Sequence, residues 1–412
     1  MAGFDITAAT PILKQYYTKM KVETLVFKSS AFGIMPKDTS GGGSTYEGTV
    51  RSAIASNASF LDTQAFATNT SASVFKRWSV AWRSGYTRAL VSGQSLDATR
   101  NDSVAFAKAI ITETEGAYDE IAQQIGAAIW SSGGGAIGQI SVASNVALDT
   151  ITLAIPLQAI NFRVGQTLQT GITDGTSGAV KATSRTVLSV NILTGTVQVS
   201  AAWNTGVAAA ALDYIFPAGD FGLAFQGIPA WIVPPDVGLV NRTAALAASF
   251  NGVVRSSDPV RLGGAYYEGN GAPKKESLIQ LGMILTLLGA KPSHIFLHPL
   301  DFADLQKDLQ TSAQIVTETA YKNPQIGFGA IQWVGPFGAV KIMTDPFVPQ
   351  GYGFILQMDT WKLASMEMIP QTKLWDNLQW LRSVGADQYE YRTLYRACTF
   401  CSMPGWNGSV RF

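Results

Sequence analysis

The sequence has very little cysteine and no long apolar run, and each absence excludes a class of protein. Two cysteines, Cys398 and Cys401, occur in 412 residues, which excludes a disulfide framework. No apolar segment approaches the ~20 residues of a membrane-spanning helix, and the best candidate, 278–290, is interrupted by Gln280. The N-terminus lacks the basic and apolar regions of a secretory signal. We therefore expect a protein that is made in the cytoplasm, stays soluble and does not contact a membrane.

Charge is also scarce. Charged residues make up 14% of the chain, against about 25% in an average soluble protein. A surface with so little charge is poorly protected against association, so we expect neighbouring subunits to cover much of it. The 30 basic and 29 acidic residues leave a net charge of +1 and no global attraction to nucleic acid. DNA beside this protein would be contained rather than bound.

A period-two pattern over residues 45–95, clearest from Val74 to Trp82, predicts an extended hairpin. No acidic residue occurs between Asp62 and Asp97. The same stretch carries these cations: Lys76, Arg77, Arg83 and Arg88. An isolated two-stranded ribbon is only marginally stable in water, so the hairpin must pack on another surface. It packs either on its own domain or, in the hypothesis that we develop below, on a neighbouring subunit.

The strongest single element is a long amphipathic helix over residues 101–130. Apolar residues from Val104 to Ala128 recur at spacings of three and four and form one stripe for burial. At ~1.5 Å per residue the helix is roughly 40 Å long, which suits a spine. Its middle carries acidic side chains: Glu113, Glu115, Asp119 and Glu120. These form either a solvated face or a contact for a basic partner.

The rest of the chain divides into two regions by pattern. Residues 136–216 are rich in Val, Thr, Ala and Gly, with short strands at 186–190 and 195–199, and predict a small all-β module. The region after it alternates between helix and strand. Its predicted helices run from 273 to 288 and from 299 to 309, and its strands lie at 294–297, 339–344, 353–358 and 386–401. Near the N-terminus, Pro11 opens a further predicted helix that runs to about Phe27.

Several short motifs are typical of cofactor, metal or catalytic sites, but none lies in the structural context that such a site needs. Gly133-x-Gly135-x-x-Gly138 follows a helix rather than a strand, so it does not form a dinucleotide-binding turn and is interpreted as a hinge. Cys398 and Cys401 lack the other two ligands of a zinc site and are interpreted as small buried hydrophobes. His294 and His298 flank a predicted strand and are interpreted as structural. We therefore predict no catalytic, cofactor-binding or metal site, and no enzyme.

The order of elements resembles the major capsid proteins of tailed bacteriophages with the Hong Kong 97-type fold. The stretch 65–75 is similar to the tip and returning strand of the extended loop in that class. The succession 95–100, 112–117 and 129–133 is similar to its loop-to-spine junction, and 338–349 to its later β element. The resemblance covers residues 40–135 and 215–412. The β module at 136–216 is absent from the minimal fold.

The resemblance implies an α+β fold with the divisions of a capsid subunit. These are an N-terminal arm (1–44), an extended loop (45–98), the spine helix of the P-domain (99–135), the inserted β module (136–216), a mainly A-domain segment (217–338), and the P-domain β region with the chain end (339–412). It further implies a virion protein, assembled in the bacterial host cytoplasm as hexamers and pentamers of itself around contained double-stranded DNA. A separate scaffolding protein, a portal and a decoration protein are the implied partners.

Our own hypothesis adds inter-subunit contacts. We expect the hairpin cations Lys76, Arg77, Arg83 and Arg88 to lie over a neighbour's acidic spine residues Glu113, Glu115, Asp119 and Glu120. Trp78 and Trp82 would be the buried anchors of that contact. The alternatives are an encapsulin-like nanocompartment shell protein and a β-rich tail or adhesin protein.

Overall fold

The computed structural model describes residues 28–54, 72–94, 103–204, 209–234, 242–312, 331–335, 338–369, 371–372, 378, 380–383 and 385–412. The predicted helix at 11–27 and the similar stretches at 65–70 and 95–100 lie outside these residues. All structural statements below concern the described residues.

The helices and strands are numbered in chain order. The α-helices are α1 (Ser30–Ile34), α2 (Ser103–Ile129), α3 (Ile228–Trp231), α4 (Arg242–Ala247), α5 (Pro259–Gly263), α6 (Lys274–Leu287) and α7 (Pro299–Ser312). The first strands are β1 (Lys37–Asp38), β2 (Thr45–Ala53), β3 (Val74–Ala81), β4 (Arg83–Ser92), β5 (Gly138–Gln139), β6 (Thr150–Thr152), β7 (Thr167–Gly171), β8 (Val180–Asn191), β9 (Thr196–Val199), β10 (Tyr214–Pro217) and β11 (Ser249–Phe250). The remaining strands are β12 (Val253–Val254), β13 (Ala265–Glu268), β14 (His294–Leu297), β15 (Ile331–Gly335), β16 (Gly338–Thr344), β17 (Tyr352–Leu356), β18 (Trp361–Ser365), β19 (Gln371–Thr372), β20 (Trp380–Arg382), β21 (Gln388–Cys401) and β22 (Gly408–Arg411). Short 3-10 turns lie at 156–161, 255–257, 358–360 and 404–406.

The predicted spine helix is present as α2, and it packs across a central sheet built around β21. That sheet joins β1, β18, β21 and β19 in order, with β20 and β4 also paired to β21. On α2, Ile121, Ile125 and Ile129 are fully buried, four residues apart, as the apolar stripe predicts. They join the largest core cluster together with Trp361 and Leu363 of β18.

A second sheet follows the order β13-β22-β17-β14-β16-β15 and carries α6 and α7. Its strand β14 is nearly all apolar, and Ile295, Phe296 and Leu297 are fully buried, as expected for a central strand. The predicted division between 338 and 339 falls within β16, which pairs with β15, and the division into domains stays a prediction. Long-range pairing also brings β22, from the chain end, between β13 and β17.

The third sheet, β5-β10-β7-β8-β9-β6, uses only strands between residues 138 and 217. It has a separate core that includes Ile140, Leu168, Val197 and Ile215. The predicted strands at 186–190 and 195–199 correspond to parts of β8 and β9. This region lies between the end of α2 and α3, and its being an insertion into the fold stays a prediction.

A separate two-stranded sheet pairs β2 with β3. The predicted ribbon ends there, and the expectation that it continues through Arg83 and Arg88 is wrong. The next strand, β4, pairs with β21 over ten residue positions, from Arg83 opposite Ala397 to Ser92 opposite Gln388. This pairing gives β4 a hydrogen-bonded partner on one side along its whole length and makes it part of the central sheet rather than of the ribbon.

Candidate assembly surfaces

The base of the β2–β3 hairpin is anchored in the core of its own subunit by Trp78. This side chain is fully buried, and its ring centroid lies 5.1 Å from that of Trp231 and 6.0 Å from that of Phe250. The expectation that Trp78 anchors the hairpin on a neighbour is therefore wrong, since no surface of the indole is left to contact one. Period-two alternation predicts which side of a strand is buried, but it does not predict which chain buries it.

Trp82, between β3 and β4, is partly covered by its own chain. Its ring meets Tyr46 edge to face at a centroid distance of 5.8 Å. Gly41 also packs against the indole, because a Cβ there would stand 2.5 Å from Trp82 Cη2 and 2.6 Å from the Ser365 carbonyl oxygen, so only glycine fits. Trp82 thus packs mainly within the subunit, and its role toward a neighbour stays a prediction.

Two hairpin cations have partners within the subunit. Lys76 Nζ donates to Ser257 Oγ at 2.5 Å and to the Val254 carbonyl at 3.3 Å. Arg77 forms an ion pair with Glu47 on the facing strand, with 3.3 Å between Nη1 and Oε2 and a side-chain exposure of 68% for the arginine. A pair this exposed contributes at most about 1 kcal/mol, so Arg77 stays open to a further partner.

The other two predicted cations belong to the central sheet. Arg88 is exposed on β4 directly opposite Arg392, which is ion-paired with the buried carboxylate of Glu390. Arg83 is partly buried at the start of the same strand. The predicted set of four cations is therefore divided between the hairpin and the sheet.

The distal end of the hairpin is apolar and exposed, which the sequence reasoning missed. Ile54 is 64% exposed, Val74 47% and Phe75 67%. These residues lie at the end of β2 and the start of β3, where the undescribed residues 55–71 connect the two strands. The sequence signal was available, because Phe75 lies on the side of β3 opposite the buried Trp78.

The acidic residues of α2 do not form one free patch. Glu113 and Glu115 are exposed and Asp119 is partly buried. Glu120 is ion-paired with Arg163 of the third sheet's region, with 2.8 Å between the charged atoms. Arg163 also donates to Gln123 Oε1 at 2.6 Å, and Gln123 donates to the Ile160 carbonyl at 2.8 Å. Arg163 thus ties the β module to the spine, a role the sequence reasoning did not assign.

The cysteines and His298, which the sequence analysis interpreted as structural, are buried in the fold. Both cysteines are buried in β21, and burial raises the pKa of each thiol to about 12. His298 is buried and its Nδ1 accepts the Leu300 amide; burial lowers its pKa. Within the described residues, no group of three or more His, Cys, Asp or Glu side chains is arranged to hold a metal ion. Over the same residues, no helix has the length and apolarity needed to cross a membrane.

We compared the chain with known protein families and solved structures. A family model described as the SU10 major capsid protein matches residues 223–379. Among solved structures, the capsid asymmetric unit of Cyanophage A-1(L) superposes with a TM-score of 0.59 at 9% identity, covering 98% of this chain and 97% of that chain. The capsid of an empty GTA particle has a TM-score of 0.47 at 8% identity, with 98% and 97% covered. Mycobacterium phage Bobi has a TM-score of 0.43 at 11% identity, with 100% and 99% covered. Curated protein sequences show no match to the chain.

The chain therefore has the Hong Kong 97-type fold of phage capsid proteins, as the resemblance in the sequence implied. Residues 223–379 match the family of the SU10 major capsid protein, and this match together with the fold supports the function of a major capsid protein of a tailed phage. The role of this family is structural rather than enzymatic.

Proposed function

We propose that the chain assembles as hexamers and pentamers into an icosahedral head shell that encloses the double-stranded DNA of a tailed phage. The exposed apolar end of the β2–β3 hairpin is the observation that supports this most strongly. Ile54, Val74 and Phe75 stand at the distal end of a two-stranded ribbon, where no second layer covers them among the residues that the structure describes. Fully burying one such side chain contributes about 1.5–3 kcal/mol, so a neighbouring subunit beneath the ribbon would stabilise it.

In this proposal the hairpin crosses the spine helix of the adjacent subunit. Arg77 lies two residues from Phe75 on β3. Its exposed guanidinium would face Glu113 or Glu115 of that helix. Exposed charges of this kind set register and partner choice more than affinity. The apolar end would supply most of the binding energy.

The low charge of the whole chain supports extensive burial of its surface in the shell. A net charge of +1 supports containment of the DNA rather than tight binding of it. We further propose assembly in the bacterial host cytoplasm, with a separate scaffolding protein, a portal and a decoration protein as partners.

A charge swap within the hairpin tests the inter-subunit contact. Arg77→Glu alone disrupts the ion pair with Glu47, so its effect on assembly has two explanations. The double variant Glu47→Arg/Arg77→Glu restores an ion pair within the hairpin with reversed polarity. We expect both variants to fold and both to form fewer shells, because each places a carboxylate at position 77 opposite the neighbour's acidic helix.

Light scattering and electron microscopy of the particles measure the outcome. A third variant, Glu113→Lys/Glu115→Lys, combined with Arg77→Glu, reverses both sides of the proposed contact and should recover assembly. If the double variant Glu47→Arg/Arg77→Glu assembles as well as the native chain, Arg77 acts only within its own hairpin and the proposed contact is wrong.

A further inference from the structure

A β-bulge at Ser52 divides the β2–β3 hairpin into a base and a distal end. The strands pair in regular register up to Arg51 opposite Phe75, and after Ser52 the next pair is Ala53 opposite Val74. Ser52 is therefore an extra residue with no counterpart on β3, and its Oγ donates to the Val74 carbonyl at 3.3 Å. A bulge bends its strand and increases the local twist. The bend at Ser52 thus sets the direction in which the distal end continues.

Support from the hairpin's own subunit ends at this bulge. Along one side of β3, Trp78 is fully buried, Lys76 is partly buried and Val74 is 47% exposed. On β2, Ser52 is 9% exposed, whereas Ile54, two residues further along, is 64% exposed. The base is therefore held by its own subunit, and the side chains beyond the bulge are largely open within the described part of the chain.

Arg261, in the short helix α5 of the same subunit, holds the bulge. Its Nη1 donates to the Ser52 carbonyl at 2.5 Å, and its Nε lies 3.4 Å from Asp258 Oδ2. Asp258 also accepts the Arg261 amide through Oδ1 at 3.1 Å, so it caps α5 and orients the guanidinium. On the facing strand, Lys76 donates to the chain just before α5. Both strands are thus held by one segment at the point where the support of the subunit ends.

We propose that Arg261 is a positioning residue for shell assembly, which sets the angle at which the distal end of the hairpin leaves its own subunit. This inference rests on the proposed contact between that end and a neighbouring subunit. Residues beyond a bend are displaced in proportion to their distance from it, so a small change of angle at Ser52 moves the apolar end off its site on the neighbour. Arg261 touches no neighbour itself and acts through the hairpin. An arginine suits this role because its planar fork donates to a carbonyl and a carboxylate at the same time.

The distance between two spin labels in dissociated subunits measures the angle of the hairpin. One label is attached to Ala72→Cys, at an exposed position two residues before β3, and the other to Leu287→Cys, at a position on α6 that is 87% exposed. The native cysteines, Cys398 and Cys401, are buried and do not take up the label. Double electron–electron resonance then gives the distribution of distances between the hairpin and the body of the subunit.

Four variants of the labelled chain separate the contributions. Arg261→Ala should broaden the distribution, and Arg261→Lys, which keeps a cationic donor, should broaden it less. Deletion of Ser52 removes the bulge and leaves the other pairs of β2 and β3 in register, so it should shift the mean distance. The matched control is Arg411→Ala, which breaks an ion pair of similar exposure with Glu268 in the second sheet and should leave the distribution unchanged.

Electron microscopy of the unlabelled variants measures assembly. We expect fewer closed shells from Arg261→Ala and from the deletion of Ser52, and native yields from Arg411→Ala. A native distance distribution in Arg261→Ala would overturn the role of Arg261. Normal shells from Arg261→Ala despite a broadened distribution would overturn it as well, and the proposed contact would stand if Phe75→Ser still formed fewer shells. Normal shells from Phe75→Ser would instead refute the proposed contact and this inference with it.

Discussion

Replacing Trp78 by alanine should destabilise the isolated subunit, whereas replacing Phe75 by serine should spare the subunit and impair the shell. The two residues lie three positions apart on β3 and differ in burial, 0% against 67% exposed. This contrast follows from the finding that the hairpin base is anchored in its own core and only the distal end is open to a neighbour.

The magnitudes follow from the contacts. Trp78→Ala removes an indole that packs on Trp231 and Phe250 and leaves a cavity, for which about 3–5 kcal/mol is the usual loss of stability. Its Nε1 has no partner in the described residues, so no hydrogen bond is lost with it. Phe75→Ser changes an exposed side chain, for which the free energy of unfolding should shift by no more than about 0.5 kcal/mol.

Urea unfolding of dissociated subunits measures the first effect. With an m value of about 2–3 kcal/mol/M, the loss for Trp78→Ala lowers the urea midpoint by about 1–2.5 M. The yield of shells under assembly conditions measures the second effect, and Trp78→Phe, which keeps an aromatic ring in the core, serves as the mild control.

An unchanged urea midpoint for Trp78→Ala together with a loss of shells would refute this reasoning. That result would mean that Trp78 anchors the hairpin on a neighbour after all. Normal shells from Phe75→Ser would equally contradict the role assigned to the distal end.

Three further predictions concern single sites. The hydrogen bond from Lys274 lowers the pKa of Asp304. This carboxylate therefore stabilises the fold above its unfolded pKa of about 3.9, and the contribution is lost as the pH falls through the pKa of the folded state. Asp304→Asn should flatten the acid limb of a plot of Tm against pH. Burial raises the pKa of the Cys398 and Cys401 thiols to about 12, so a thiol reagent at pH 8 should leave the folded chain unlabelled and label both cysteines in urea; labelling of the native protein would contradict their placement. Arg163→Ala removes the ion pair to Glu120 and the bond to Gln123, and should destabilise the attachment of the β module by about 1–2 kcal/mol, measured as faster hydrogen exchange in residues 156–171, while an unchanged exchange rate would refute it.

Local features of the fold could be predicted from the sequence because they depend on neighbouring residues. The stripe ending at Ala128 predicts α2 to within a few residues, and the turn residues around 191–195 separate β8 from β9. Each pattern repeats over a distance that the chain itself fixes.

Partners across long sequence separations could not be predicted. Nothing local shows that β4 pairs with β21 some three hundred residues later. Asn407, in a stretch that reads as a turn, is fully buried and accepts both the Gln357 amide and Trp361 Nε1. A short polar side chain in a turn and one at the centre of a core look alike in sequence, and only the tertiary contacts distinguish them.

Cryo-electron microscopy of particles assembled from the chain, alone or with the proposed scaffolding protein, tests the central claim most directly. The account predicts closed shells of hexamers and pentamers, with the β2–β3 hairpin of each subunit lying over the spine helix α2 of the next. A chain that stays monomeric under all of these conditions, or that forms trimers or open fibres, would contradict it.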